Sequence, residues 1–125
     1  MQPIDIHGFV ADVRREIGPL LHESGRILYS SVDTLRPGDI YLLGVNPGGD
    51  PNQLDCENIE QSLNELPAQL TNSYVDEVWR KGQSPGGHPL QQQVRWLLSY
   101  LGYEPRSVCA SNLIFVRSKD SEGAG

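Results

Sequence analysis

The sequence predicts an α/β domain whose short parallel sheet lies between helices, a three-layer α/β/α arrangement. Two runs read as strands, "IYLLGV" at residues 40–45, which is bounded on both sides by Gly/Pro signals and does not alternate polar with apolar, and "SVCASNLIFV" at 107–116. Continuous runs of that kind mark strands buried on both faces, as in parallel sheets. The helical patterns between them supply the crossover that parallel neighbours need. A chain of 125 residues fits one domain with a modest core, residues 1–125, ending in a flexible polar tail at 119–125.

The first helix is read from Ile6, Phe9, Val10, Val13, Ile17, Leu20 and Leu21, spaced by threes and fours, with Gly18-Pro19 as its end or kink. Residues 27–29 form a short extended piece before the turn chemistry of "RPGD". "IYLLGV" is then the central strand. Ile59, Leu63 and Leu66 share one side of a second helix over residues 55–66, with Asp55 as its expected N-cap and Pro67 as its limit. "HPLQQQVRWLLSYLG" is the clearest helix: Pro89 suits the first turn, Leu90, Val94, Leu97, Leu98 and Leu101 form the apolar stripe, and Gly102 is the stop. Two strands make a thin sheet, so either another chain completes it, as in a homo-oligomer, or the sequence is the N-terminal part of a longer protein.

Composition narrows the function classes. No stretch approaches the roughly 20 apolar residues of a membrane span, and "MQPIDIHGFV" lacks the basic and apolar regions of a secretory signal. A cytoplasmic setting, with no membrane partner, is expected. Cys56 and Cys109 have neither CxxC spacing nor a Cys/His cluster, which predicts no metal site and no disulfide framework. The net charge of −6 argues mildly against nucleic acid, yet it is segregated. Residues 50–77 hold seven acids and no Lys or Arg, whereas residues 78–119 hold six bases against Glu104 alone. Such segregation suits either one phosphate-facing side or two solvated faces of opposite sign.

In open parallel sheets, ligands bind beyond the carboxyl ends of the strands. Asn46 follows the first strand and Asn112 lies near the end of the second, so parallel neighbours bring both amides to one crevice. An amide offers an acceptor and two donors, which match a nucleobase edge or an oriented water. Pro47 fixes a turn there, and Gly48-Gly49 removes side chains where backbone N–H groups can reach a ligand oxygen. "NPGG" alone is also what ordinary turns are made of. Its place after a buried strand, with a second Asn across the sheet, favours a loop made for backbone contact.

With these residues the chain resembles the uracil-DNA glycosylase superfamily. "GVNPG", residues 44–48, is similar to the first active-site motif in the GxNPG form of the mismatch-specific and single-strand-selective branches. "SNLIF" is similar to the later strand whose Asn contacts the flipped base, and "HPLQQQVRWLLSYLG" to the helix before it. The order and spacing of these motifs extend the resemblance over residues 27–118. It implies a glycosylase-like fold, no cofactor, and hydrolysis of the N-glycosidic bond of uracil or a related damaged base in DNA, the chemistry of base excision repair. It further implies that Asn46 holds the hydrolytic water and that backbone N–H groups around Gly48 receive charge developing on the base O2. Gly44, Pro47 and Gly49 complete the base-binding loop, and Asn112 reads the base edge.

An aromatic ring is expected to stack on the base, and the first aromatics after Pro51 are Tyr74 and Trp79, either of which also suits helix packing. The family's second catalytic motif, which carries a His, follows the Asn strand. His7, His22 and His88 all precede it, with His88 placed for a helix cap and the other two for solvated positions. The expectation is therefore an N-terminal portion of a glycosylase-like domain with an incomplete active site. The other classes left open are a non-catalytic nucleotide or small-ligand module and a protein-interaction domain.

Overall fold

The computed structural model describes residues 5–45, 57–79 and 84–116. They form a mixed α/β arrangement around a two-stranded parallel sheet. Helix α1, Ile6–Glu16, begins where the Asp5 carboxylate accepts the Gly8 N–H at 3.1 Å, and Arg14 and Arg15 stand in its last turn, where positive charge favours the helix dipole. A 3-10 turn, Gly18–Leu20, follows at Gly18-Pro19. The apolar side of α1 packs on the buried cluster of Ile27, Leu28, Ile59, Leu63 and Leu66.

Strand β1, Tyr41–Gly44, pairs in parallel with β2, Cys109–Asn112, in the register Tyr41↔Cys109 to Gly44↔Asn112. Beyond these limits Gly44 O accepts Leu113 N–H and Val45 O accepts Ile114 N–H. The other edge of β2 takes the extended piece 27–29, now seen to run antiparallel, with Leu28 opposite Ser111 and Tyr29 N–H donating to Ala110 O at 2.9 Å. One rung there is made by a side chain: Ser30 Oγ accepts the Ala110 N–H at 2.9 Å and pairs with Thr34 Oγ1 at 2.7 Å. Alternate residues of β2 feed different clusters, Cys109 packing with the α1 and α2 side and Ala110 with Tyr29, Tyr74, Leu42, Trp79 and Val94.

β1 departs from expectation. Among the described residues it pairs on one side only, and Tyr41, Leu43 and Val45 are exposed, Leu43 by 56 %. Among the described residues the strand is thus an edge, and its continuous apolar run conceals a real alternation of exposed and half-buried positions. Tyr41 is tied down from outside, its hydroxyl accepting the Gly38 N–H at 3.0 Å.

Helix α2, Ile59–Glu65, starts at Asn58 and not at Asp55, which lies outside the described residues. Asn58 and Gln61 form a reciprocal capping box, with bonds of 2.8 and 3.0 Å. Helix α3, Ser73–Asp76, is a single turn capped by Asn72. Helix α4, Pro89–Tyr100, has His88 as its cap, with Nδ1 accepting the Leu90 N–H at 3.0 Å, and it ends at Gly102, whose φ of +91° is easy only for glycine.

The inward stripe of α4 also differs from expectation. Gln91 and Leu98 are buried and Val94 packs on the cluster of Tyr29, Tyr74 and Ala110, whereas Leu90, Leu97 and Leu101 stand exposed together with the stacked pair Trp96 and Tyr100. Polar Gln91 takes an inward position because it finds a full set of backbone partners. No helix among the described residues is long and apolar enough to cross a membrane.

Adjacent leucines of α4 should therefore behave oppositely. Leu98→Ala, at 4 % exposure, should cost about 2–5 kcal/mol in urea unfolding, the range for emptying a core leucine site. Leu97→Ala, at 43 % exposure, should cost no more than about 1 kcal/mol. Equal costs would contradict the observed helix orientation.

Candidate functional site

The candidate site lies at the carboxyl ends of β1 and β2, where the parallel register sets Gly44 beside Asn112. Because side chains alternate along β2, Asn112 projects to the same face as Ala110, the face covered by Tyr74, Trp79 and α4. Asn112 is only 7 % exposed. Among the described residues its side-chain amide has no hydrogen-bond partner. A buried amide left unpaired costs about 1–3 kcal/mol, and buried polar groups in folded proteins are otherwise almost always satisfied.

The main-chain bond from Ile114 N–H to Val45 O, 2.9 Å, carries the β1–β2 ladder to the residue just before Asn46. Asn46, Pro47, Gly48 and Gly49 themselves lie outside the described residues, as does Cys56. The described half of the site is thus Gly44, Asn112 and the aromatic wall beyond them.

That wall is a chain of rings. Tyr74 is flanked by Tyr29, with centroids 6.1 Å apart, and by Trp79 at 5.3 Å; Trp79 in turn meets the His88 ring edge-on at 5.8 Å. Tyr74 is buried, and burial first, with Tyr29 beside it second, pushes its hydroxyl up to about 12. Trp79 is half-buried, and its indole N–H donates to Glu77 Oε1 at 3.2 Å. Both candidate stacking residues therefore share one aromatic cluster, Tyr74 inside it and Trp79 nearer the surface.

Two residues that hold this wall escaped the sequence reading. Gln91, fully buried on α4, donates through Nε2 to Ser73 O and Glu77 O, both at 2.8 Å, while its Oε1 accepts the His88 N–H at 2.9 Å. Arg95 Nη1 donates to Tyr74 O at 2.8 Å and Gly86 O at 2.7 Å. Helix α4 thus grips the backbone that carries Tyr74 and leads to Trp79. The available signal was spacing: Gln91 stands three before Val94 and seven before Leu98, on their stripe.

The acidic block is partly consumed by internal pairing. Arg26 Nε binds Glu57 Oε1 at 2.8 Å and Nη1 binds Glu77 Oε2 at 2.7 Å and Ser73 Oγ at 2.9 Å, with the guanidinium 5.1 Å from the Tyr29 ring centroid. Burial alone would favour its neutral form, but Glu77 and Glu57 outweigh this and keep it charged. Arg106 meets Asp76 with two bonds, at 2.7 and 2.6 Å. Those bonds first, and the Asn72 N–H second, hold the Asp76 carboxyl below its ordinary range. These carboxylates are structural partners and not a free acidic face.

No protein-family model, curated protein or solved structure matches the chain.

The Tyr74 hydroxyl generates a pH test. Its folded pKa of about 12 lies above the ordinary value of 10.0, so the folded state holds the proton more tightly. The resulting stabilisation is whole below about pH 10 and is lost as pH rises through about 12. Wild-type stability should fall more steeply over that interval than that of Tyr74→Phe, by urea unfolding at successive pH values. Parallel pH profiles would show that this phenol is not shielded.

Proposed function

We propose that the chain carries the base-binding part of a uracil-DNA-glycosylase-like site, in a three-layer α/β/α domain, and that the activity it serves is hydrolysis of the N-glycosidic bond of uracil or a related damaged base in DNA. The observation that carries this reading is Asn112: a buried amide with no partner among the described residues, at the carboxyl end of a parallel strand pair whose neighbour runs into Asn46-Pro47-Gly48. An amide left open in that position suits the donor and acceptor groups of a pyrimidine edge. Gly44 to Gly48 supply the resemblance to the family motif.

In this reading an extruded base enters the crevice beyond β1 and β2. Asn112 pairs with its edge, and the backbone N–H groups of Gly48 and Gly49 stabilise the negative charge that gathers on O2 as the glycosidic bond lengthens. Asn46 orients the water that attacks the sugar carbon, without the charge a carboxylate would bring. Trp79 is the better placed of the two aromatics to meet the base, since it is half-buried whereas Tyr74 is only 7 % exposed. No metal or cofactor enters these steps.

A second reading, a non-catalytic pocket for a nucleotide or free base, is favoured by the net charge of −6, which opposes a DNA backbone. The two separate by salt dependence, because binding to DNA releases counterions and weakens steeply as salt rises, whereas binding of a free base does not.

The test is excision from uracil-containing single- and double-stranded oligonucleotides, beside Asn46→Ala and Asn112→Ala. Loss of one hydrogen-bonding amide should lower the rate about tenfold or more in each variant. Excision indifferent to both substitutions, or no excision together with no uracil binding, would refute the glycosylase reading.

A further inference from the structure

We propose that Gly44 is a positioning residue for Asn112: its bare Cα is the seat against which the Asn112 amide rests, so the first glycine of "GVNPG" is demanded by the neighbouring strand and not by the turn that follows. The inference rests on the base-binding reading of Asn112 for its functional consequence, but its geometry stands apart from it.

Glycine is needed in a chain for two separable reasons, backbone conformation or space. Conformation is not the reason here. Among the described residues the glycines with positive φ are Gly86 and Gly102, and Gly44 is an ordinary strand residue paired in register with Asn112. A strand position that any side chain can adopt is normally weakened by glycine.

Space is the reason. A Cβ built on Gly44 would overlap Asn112 Oδ1, with Asn112 Cγ at 3.5 Å and Ser111 O at 4.0 Å. The nearest obstacle is therefore the amide, not the main chain of β2. Asn112 is buried and bounded on its own face by the cluster around Ala110. A methyl group at residue 44 would turn the amide away from its present direction, and the donors and acceptor it offers would turn with it.

This makes the glycine and the asparagine a coupled pair across 68 residues of sequence, joined by register. It also separates Gly44 from Gly48 and Gly49. Those two are read as making room for a ligand, whereas Gly44 makes room for the residue that reads it.

A double-mutant cycle in the full chain decides the matter. Gly44→Ala and Asn112→Ala are made singly and together, and urea unfolding and free-uracil affinity by calorimetry are measured for all four proteins. Gly44→Ala should lower the unfolding midpoint more in the wild-type background than in the Asn112→Ala background, where the obstructing amide is gone. It should weaken uracil affinity about tenfold in the wild-type background and not at all in the Asn112→Ala background. If Gly44→Ala does not fold but the double variant does, the coupling is shown in its strongest form.

Equal effects of Gly44→Ala in both backgrounds, or a double variant that also fails to fold, would overturn the proposal. Should the wild-type chain bind no uracil, the base-binding reading fails, while the unfolding arm still decides whether Gly44 seats Asn112.

Discussion

The structure depends on β2 being hydrogen-bonded along both edges. Only four residues long, Cys109–Asn112, it takes β1 in parallel on one side and the piece 27–29 antiparallel on the other. Because successive side chains alternate, the same strand supplies Cys109 to the cluster beneath α1 and α2 and Ala110 to the cluster beneath α3 and α4. A one-residue slip of β2 against β1 would exchange those faces and separate Asn112 from Gly44 together. Fold and candidate site are fixed by one register.

The second constraint is the way polar side chains stand in for backbone. Ser30 Oγ completes the ladder to Ala110, Gln69 Nε2 donates to Leu28 O and Ser30 O at 3.0 and 2.7 Å, and Gln91 and Arg95 take up the carbonyls around the aromatic wall. Short elements leave many main-chain groups unpaired, and each left buried would cost about as much as one lost hydrogen bond. Against this satisfaction the Asn112 amide, without a partner among the described residues, stands out. Arg26 meets the same wall at Tyr29, its guanidinium 5.1 Å from the ring centroid while it pairs with Glu57 and Glu77.

Much of this was legible in the sequence, and the misses have physical causes. The parallel pairing, the helix opening at His88-Pro89 and its stop at Gly102 followed from apolar runs and terminal residues. The edge position of β1 did not, because "IYLLGV" looks the same whether its outward residues meet a helix or solvent. The orientation of α4 was misread because leucine count was weighed over partner supply: Gln91 is buried since three backbone groups await it, and Leu97 is not. Asn58 replaced Asp55 as a cap because only Asn58 has a glutamine three residues ahead to close the box. At the site, Asn112 and Gly44 were singled out by motif, and their adjacency was invisible because it depends on register. Gly48 and its neighbours remain with the motif alone.

The central claim is that the Asn112 amide awaits a base edge. Its side-chain NH2 resonances can be followed directly by two-dimensional 1H–15N NMR as free uracil is added, with the backbone-bonded amides of Gln69 and Gln91 as internal references. The account predicts a saturable shift of the Asn112 pair while Gln69 and Gln91, already bonded to backbone carbonyls, stay in place. An Asn112 signal unmoved by uracil, or one that moves only in step with those glutamines, would contradict it.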